Sequence, residues 1–299
     1  MTHIAFIGLG NMGLPMANNL LAKGFSVSGF DLSEPALAAL AEAGGTRAAS
    51  AQATLEQAKI AVTALPAARH VRAVYEGEAG LLAAARPGTL FIDCSTIDVA
   101  TARAVSAEAT AQGHQMLDCP MSGGVGGATA GTLSFMVGGG EAAFERARPV
   151  LDAMGRNVFH AGASGAGAAA KLCNNLMLAI QMIAVAEGFN LARALGLEAQ
   201  KLYDISSTAT ARSWSLNDYC PEPGPVPAAP SNRDYAPGFA ADLMLKDLRL
   251  AMAEAEAGGL SSPLGAQATQ LYALMALSGE GGRDFSGIIR LLRGEAGDS

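Results

Sequence analysis

Lys171 sits in GAGAAAKLCNNLMLAI (residues 165–180), one cation among small and apolar residues where a long helical pattern begins. Removing an ammonium group from water costs several kcal/mol unless it is paired, deprotonated or put to use. Two readings are open: the side chain snorkels to the surface along its methylene stem, or it does proton chemistry. Asn175 lies four residues on, so a helix sets the two side chains on one face, and Asn174 stands beside them. Oxidation of an alcohol to a carbonyl releases the hydroxyl proton as a hydride leaves carbon. A desolvated lysine can take that proton and, in the reverse direction, return it to the carbonyl oxygen. Asn174 and Asn175 would hold the lysine or the substrate by hydrogen bonds, and Gly165, Gly167 and Ala168 to Ala170 leave room for a ligand to come close.

A second constellation is DCPMSGGVGGATAGTLSF (118–135), in which Ser122, Gly123 and Gly124 follow an apolar strand pattern. A hydroxyl beside successive glycine amides forms a concave nest for an anion, and a substrate carboxylate is the natural occupant. The alternative is a flexible hairpin. Neither a His/Asp pair nor a metal-ligating spacing competes for the chemistry: the four cysteines and four histidines are scattered. No metal site and no disulfide framework are expected, and a reducing cytoplasm is.

A third constellation, FIGLGNMG, places Gly8, Gly10 and Gly13 in a GxGxxG pattern between an apolar strand and the helical LPMANNLLAKG, with Leu9, Asn11 and Met12 between the glycines. Gly8 permits the tight turn, Gly10 lets backbone approach a pyrophosphate, and Gly13 allows close packing of helix on strand. The helix N-terminus then offers free N–H groups to the phosphates. Eighteen residues beyond Gly13, Asp31 ends the second strand, followed by Leu32. A carboxylate there accepts hydrogen bonds from a ribose hydroxyl and repels an added phosphate, which points to NAD over NADP. FAD and S-adenosylmethionine are the other ligands of such a turn. Leu65 and Pro66 of ALPA, with Ser95 and Thr96 of CSTI, stand at two later strand ends, where ligands of such sheets bind; turn chemistry alone also explains these residues.

These groups need elements to position them. HIAFIGLG, SVSGFDL, IAVTALP, TLFIDCS, HQMLDCP and LSFMVGG read as strands alternating with Ala-rich helices, the rhythm of βαβ units. After about residue 163 that rhythm stops, and a helix of some thirty residues, about 45 Å long, begins. The expected architecture is an α/β domain of Rossmann type with a doubly wound sheet (1–163), followed by an all-α domain (164–299), joined by the long helix. NDYCPEPGPVPAAPSNRDYAPG (217–238) carries six of the thirteen prolines and must be irregular: a functional loop or a surface linker. The apolar run at 176–186 is too short for a membrane span and reads as a buried helix. MTHIAFIGLGNMG enters a strand at once, without the pattern of a secretory or transit segment. A net charge of −7 argues against nucleic acid or an anionic membrane as partner and favours a small molecule.

Taken in order, GLGNMGLPMANNLLAKG, DCPMSGGVGGATAGTLSFMVGG, GAGAAAKLCNN and LMLKDLRLA resemble the β-hydroxyacid dehydrogenases over essentially the whole chain. The segment SSTATARSWSLNDYCPEPGPVPAAPSNRDY is most similar to the branch of that family acting on 3-hydroxyisobutyrate in valine breakdown. The resemblance implies an NAD-dependent oxidation of a small 3-hydroxy acid, with Lys171 as the catalytic lysine and Ser122, Gly123 and Asn175 on the substrate. It also implies that Lys246, supported by Asp247, reaches the cofactor region, and that the helical domain pairs subunits into a homodimer or homotetramer. By residue type alone, Lys246 and Asp247 are an ordinary surface pair. Three departures stand out. Asp118-Cys119-Pro120-Met121 replaces the Asp-Ala-Pro-Val frequent in relatives, His70 stands where some carry a cofactor-contacting Asn, and Asn174-Asn175 replaces the His-Asn of the decarboxylating 6-phosphogluconate dehydrogenases. The last favours oxidation without decarboxylation. A sibling reductase of tartronate, glyoxylate or succinate semialdehyde and a catalytically silent dinucleotide-binding scaffold are the alternatives; the presence of Lys171 and the acidic charge oppose the scaffold.

Overall fold

A computed structural model describes residues 2–295, and the chain divides into a unit ending at Lys171 and a unit beginning at Leu172. The first unit alternates strand and helix: β1 (His3–Ile7), α1 (Gly13–Ala22), β2 (Ser26–Phe30), α2 (Glu34–Glu42), β3 (Thr46–Arg47), β4 (Ile60–Thr63), α3 (Ala68–Tyr75), α4 (Leu81–Ala84) and β5 (Leu90–Asp93). It continues with α5 (Val99–Ala111), β6 (Gln115–Asp118), β7 (Met121–Ser122), α6 (Gly124–Ala130), β8 (Leu133–Gly138), α7 (Glu141–Met154) and β9 (Gly155–Gly162). Helical crossovers force neighbouring strands to run parallel, and β1, β2, β4, β5 and β6 pair that way. With helices on both faces, such strands are buried throughout; β4 and β5 have no exposed residue. Ile4, Phe6, Leu20, Leu40, Ile92, Leu117, Phe135 and Leu151 share one core cluster, each contributing about 1.5–3 kcal/mol by leaving water.

The strand order is β3-β2-β1-β4-β5-β6-β8-β7, with β9 paired to β8. Its first six strands follow the Rossmann order, which reverses direction between β1 and β4. Only β6 and β7 meet β8 antiparallel. The six strands expected from the sequence form. β9 was not among them because its GRNVFHAG is largely exposed and has no apolar alternation; backbone pairing along β8, not side-chain burial, holds it. β3 and β7, two residues each, carry too little pattern to read.

Helix α8 (Ala166–Ala194) is 29 residues long, begins in the first unit and continues into the second. By length and composition alone it could cross a membrane. Its Ala179, Met182, Ala186 and Phe189 instead pack in a protein core. The second unit adds α9 (Ala199–Ser206), α10 (Trp214–Asn217), α11 (Ala241–Ala257), α12 (Pro263–Met275) and α13 (Ile288–Leu292), so it is helical as expected. Met244, Leu248, Tyr272, Met275, Phe285 and Ile288 complete its core.

The Pro-rich segment forms no ladder, yet it is firmly fastened. One oxygen of the fully buried Asp284 accepts from the Tyr219 hydroxyl at 2.8 Å and from the amides of Gly238 and Phe239 at 2.9 and 3.0 Å. Its other oxygen accepts from the Ser286 amide and hydroxyl at 3.0 and 2.7 Å. The Tyr235 hydroxyl donates to the Pro221 carbonyl at 2.9 Å, and Ser231 donates to that of Cys220 at 2.8 Å. Both ends of the segment therefore converge on one carboxylate. Asp284→Ala is expected to destabilise the protein by about 3–5 kcal/mol in urea unfolding, because several buried donors lose their acceptor; a change below about 1 kcal/mol would show that the segment is held by other contacts.

Candidate active site

The three glycines after β1 differ in what surrounds them. Gly8 has φ +93° and donates its amide to the Phe30 carbonyl at 3.0 Å. A Cβ there would run into the carbonyl oxygen of Ala64, at the end of β4. A Cβ on Gly13 would collide with the carbonyl oxygen of Gly8, so α1 packs on its strand at a distance only glycine allows. Gly10 faces open space, with no atom within 4 Å of a Cβ built on it. Gly10 and Asn11 are thus exposed beside the start of α1, which has no side-chain cap; Leu14 and Met16 already donate to the Gly10 and Met12 carbonyls, so an anion would be met by the amides of the Gly10–Gly13 turn. Leu9 buries its side chain in the core, leaving only main chain for a ligand; Met12 is partly buried.

Asp31 follows β2 and is held by the same loop. Its oxygens accept from the Leu9 amide at 2.6 Å and the Ser33 amide at 2.8 Å, and Leu32 beside it is 93 % exposed. A carboxylate fixed next to an open glycine turn, at the reversal of a Rossmann sheet, fits the ribose and pyrophosphate of a dinucleotide. Gly8 to Gly13 and Asp31 are the residues that would hold it.

The strand ends after β4 and β5 are tied together by a buried network. The Leu65 amide donates to Ser95 Oγ at 2.9 Å, and that hydroxyl donates to Asp93 Oδ1 at 2.6 Å. Asp93 Oδ1 also accepts from Thr63 Oγ1 at 2.7 Å, which lies 2.9 Å from the Tyr75 hydroxyl. Burial pushes the Asp93 carboxyl up, while the Ser95 and Thr63 hydrogen bonds pull it back. Ser95 therefore uses its hydroxyl inward to set the loop. Pro66 is exposed and Thr96 partly so, and these face outward from the same two strand ends. His70 lies in the first turn of α3 with a buried Nδ1 that has no hydrogen-bond partner.

Ser122, Gly123 and Gly124 are not a flexible hairpin. Ser122 pairs with Ser134 of β8, and Gly123 and Gly124 turn the chain into α6 with φ values of 130° and 60°. Asn19 of α1 donates to the Ala128 carbonyl at 2.6 Å, fastening α6 to the helix that follows the glycine loop.

Lys171 is 8 % exposed, far more buried than an ordinary surface lysine. The start of its helix is held by Asp118, whose two oxygens accept from the Gly165 amide at 2.7 Å and the Ala168 amide at 2.9 Å. Desolvation raises the Asp118 pKa, and these amide bonds oppose it. In the second unit Asn175, 1 % exposed, donates to Asp247 Oδ2 at 2.6 Å, and Asn174 donates to Asn175 Oδ1 at 3.0 Å. Lys246 Nζ lies 3.2 Å from Asp247 Oδ1. Asp247 is buried, so the surface-pair reading of Lys246 and Asp247 does not hold. Asp93 and Asp118, absent from the sequence-derived set, sit opposite one another at the ends of β5 and β6. The signal was available: a carboxylate ending an otherwise apolar strand is costly unless donors meet it.

A Rossmann sheet with an open glycine turn at its reversal, and a buried lysine on the helix that leaves it, define a dinucleotide-dependent oxidoreductase. Residues 3–162 match the family model for the NAD binding domain of 6-phosphogluconate dehydrogenase, and residues 165–292 that for the NAD-binding of NADP-dependent 3-hydroxyisobutyrate dehydrogenase. A 3-hydroxyisobutyrate dehydrogenase of Pseudomonas aeruginosa is 50 % identical over 99 % of this chain and 100 % of its own. An NAD-dependent L-serine dehydrogenase of the same organism is 48 % identical over 97 % of this chain and 98 % of its own. The solved structure of the Mycobacterium tuberculosis 3-hydroxyisobutyrate dehydrogenase with L-serine superposes with a TM-score of 0.92 at 49 % identity, covering 98 % of this chain and 99 % of that one. The chain belongs to the 3-hydroxyisobutyrate dehydrogenase family of NAD-binding oxidoreductases.

The glycine geometry separates folding from binding. Gly13→Ala is expected to cost about 1–3 kcal/mol by overpacking, read as a lower melting temperature. Gly10→Ala is expected to shift stability by no more than about 0.5 kcal/mol, while weakening NADH binding about tenfold in fluorescence titration, a loss of about 1.4 kcal/mol. Unchanged NADH affinity in Gly10→Ala would remove the glycine turn from the cofactor site.

Proposed function

We propose that this enzyme catalyses the reversible NAD-dependent oxidation of 3-hydroxyisobutyrate to methylmalonate semialdehyde, a step of valine catabolism. It works in the cytoplasm as a homodimer or homotetramer. The observation that carries this reading is Lys171, a buried lysine near the start of a helix that leaves a Rossmann sheet. NAD, when bound, supplies the nicotinamide carbon that accepts the hydride and gives it back. Ser122 and the amides of Gly123 and Gly124 hold the substrate carboxylate. Lys171 takes the hydroxyl proton as the C–H hydride departs, and in reduction it protonates the carbonyl oxygen. Asn175, aligned by Asp247, holds the substrate oxygen beside the lysine. Orientation and proton transfer together lower the barrier, the latter typically by 10²–10⁴ in rate.

L-serine is the second reading, because a relative of nearly equal identity is an L-serine dehydrogenase. The two acids differ only at C2, a methyl in one and an ammonium in the other, so the site must solvate either an apolar group or a charge. If 3-hydroxyisobutyrate is the substrate, kcat/KM is higher for it than for L-serine and for tartronate, glyoxylate or succinate semialdehyde. A preference for any of the others overturns the substrate assignment.

Lys171→Ala is expected to lower kcat by about 10²–10⁴ while NADH affinity stays near that of the wild type; near-normal turnover would refute the mechanism. Asp31 next to the ribose site predicts that NAD is used at least about tenfold better than NADP in kcat/KM, and that Asp31→Ala narrows the gap. A wild-type preference for NADP would overturn the role given to Asp31.

A further inference from the structure

Asp93 and Asp118 occupy paired positions at the ends of neighbouring parallel strands, but their bonds run in different directions. Asp93 is satisfied by side chains and an amide at the ends of β4 and β5. Asp118 reaches 47 and 50 residues forward: one oxygen is taken by the amide of Gly165, which immediately precedes α8, and the other by that of Ala168 in its first turn. Those amides have no partner inside the helix, so a buried carboxylate is what seats them. The backbone around this joint leaves no slack. A Cβ on Gly167 would overlap the carbonyl oxygens of Asp118 and Met136, and one on Gly138 would come to 2.5 Å from Asp118 Oδ1 and 2.7 Å from the Gly167 amide nitrogen. Lys171 follows Ala168 by three residues, about 4.5 Å along the axis, too short a stretch of hydrogen-bonded helix to absorb a displaced first turn.

We propose that Asp118, locked between Gly138 and Gly167, is the positioning residue that sets where the Lys171 amine stands. The inference rests on the reading that Lys171 moves the substrate proton. A misplacement of about 1 Å in a reacting group typically costs about 100-fold in rate. Asp118→Asn keeps one acceptor but turns an NH₂ toward an amide N–H, and Gly138→Ala pushes on the same joint from β8 without touching the charge.

The test uses the full-length enzyme and four variants: Asp118→Asn, Gly138→Ala, Lys171→Ala and the double variant Asp118→Asn with Lys171→Ala. Folding is checked by circular dichroism at the assay temperature and NADH affinity by fluorescence. The expected result is a fall in kcat of about 10- to 100-fold for Asp118→Asn and for Gly138→Ala, with NADH affinity within about twofold of wild type. In the Lys171→Ala background, Asp118→Asn is expected to cause no further loss, because the two act through one group. If Asp118→Asn does not fold, Gly138→Ala decides by the same measurements. Folded variants that lower only the melting temperature, with kcat unchanged, overturn the positioning role while an inactive Lys171→Ala leaves the mechanism standing; additive losses in the double variant do the same. A Lys171→Ala enzyme of near-normal turnover overturns the mechanism itself, and the positioning role with it.

Discussion

Two buried carboxylates at the ends of adjacent parallel strands are the constraint around which the first unit is arranged. Asp93 and Asp118 face the same problem, an ionisable group drawn out of water, and burial pushes both carboxyls above the ordinary value of 3.8. Each folded-state proton affinity is therefore higher than in the unfolded chain. The stability this contributes is full below pH 3.8 and is lost as the pH rises through the raised pKa. At neutral pH the charged forms depend on the donors that meet them. Asp93 gathers donors from Thr63 and Ser95 at the ends of β4 and β5, and Asp118 gathers them from Gly165 and Ala168 at the start of α8. Two loops and a helix start are thereby fixed by the need to satisfy buried carboxyl oxygens, which is a more directional constraint on position than apolar contact.

Glycine does the complementary work. Where Gly8 approaches Ala64, Gly13 approaches Gly8 and Gly138 approaches Gly167, a methyl group would part backbones that have to touch. Gly10 is different, since nothing lies near it. Gly123 and Gly124 are different again, because their positive φ angles turn β7 into α6. The same residue type thus supports close packing, an open approach for a ligand, and a reversed turn beside Ser122.

The second unit repeats the use of buried carboxylates. Asp247 joins Asn175 of α8 to Lys246 of its own helix, and Asp284 gathers both ends of the Pro-rich segment. Tyr219 of the segment is also stacked between two rings from outside it, Trp214, about half exposed, and Phe285. Proline keeps strands and all but one 3-10 turn, Pro230–Arg233, out of 218–238, and hydrogen bonds to one acidic residue supply the order that a ladder would otherwise give.

Spacing and residue type along the chain determined the strands β1, β2, β4, β5, β6 and β8, the long helix, the glycine turn with Asp31, and the pairing of Lys171 with Asn175 on one helical face. These are local matters, set by periodicities of two and of 3.6 residues and by glycine's freedom in tight turns. Tertiary structure alone decided the rest. Asp118 to Ala168 spans 50 residues, Asn175 to Asp247 spans 72, and Tyr219 to Asp284 spans 65. No local pattern names the partner of a carboxylate, because its donors are chosen by which chain segments the packed cores bring within 3 Å or so of it. β9 escaped notice for a related reason: an exposed strand is held by the backbone of its neighbour, and backbone carries no sequence signal.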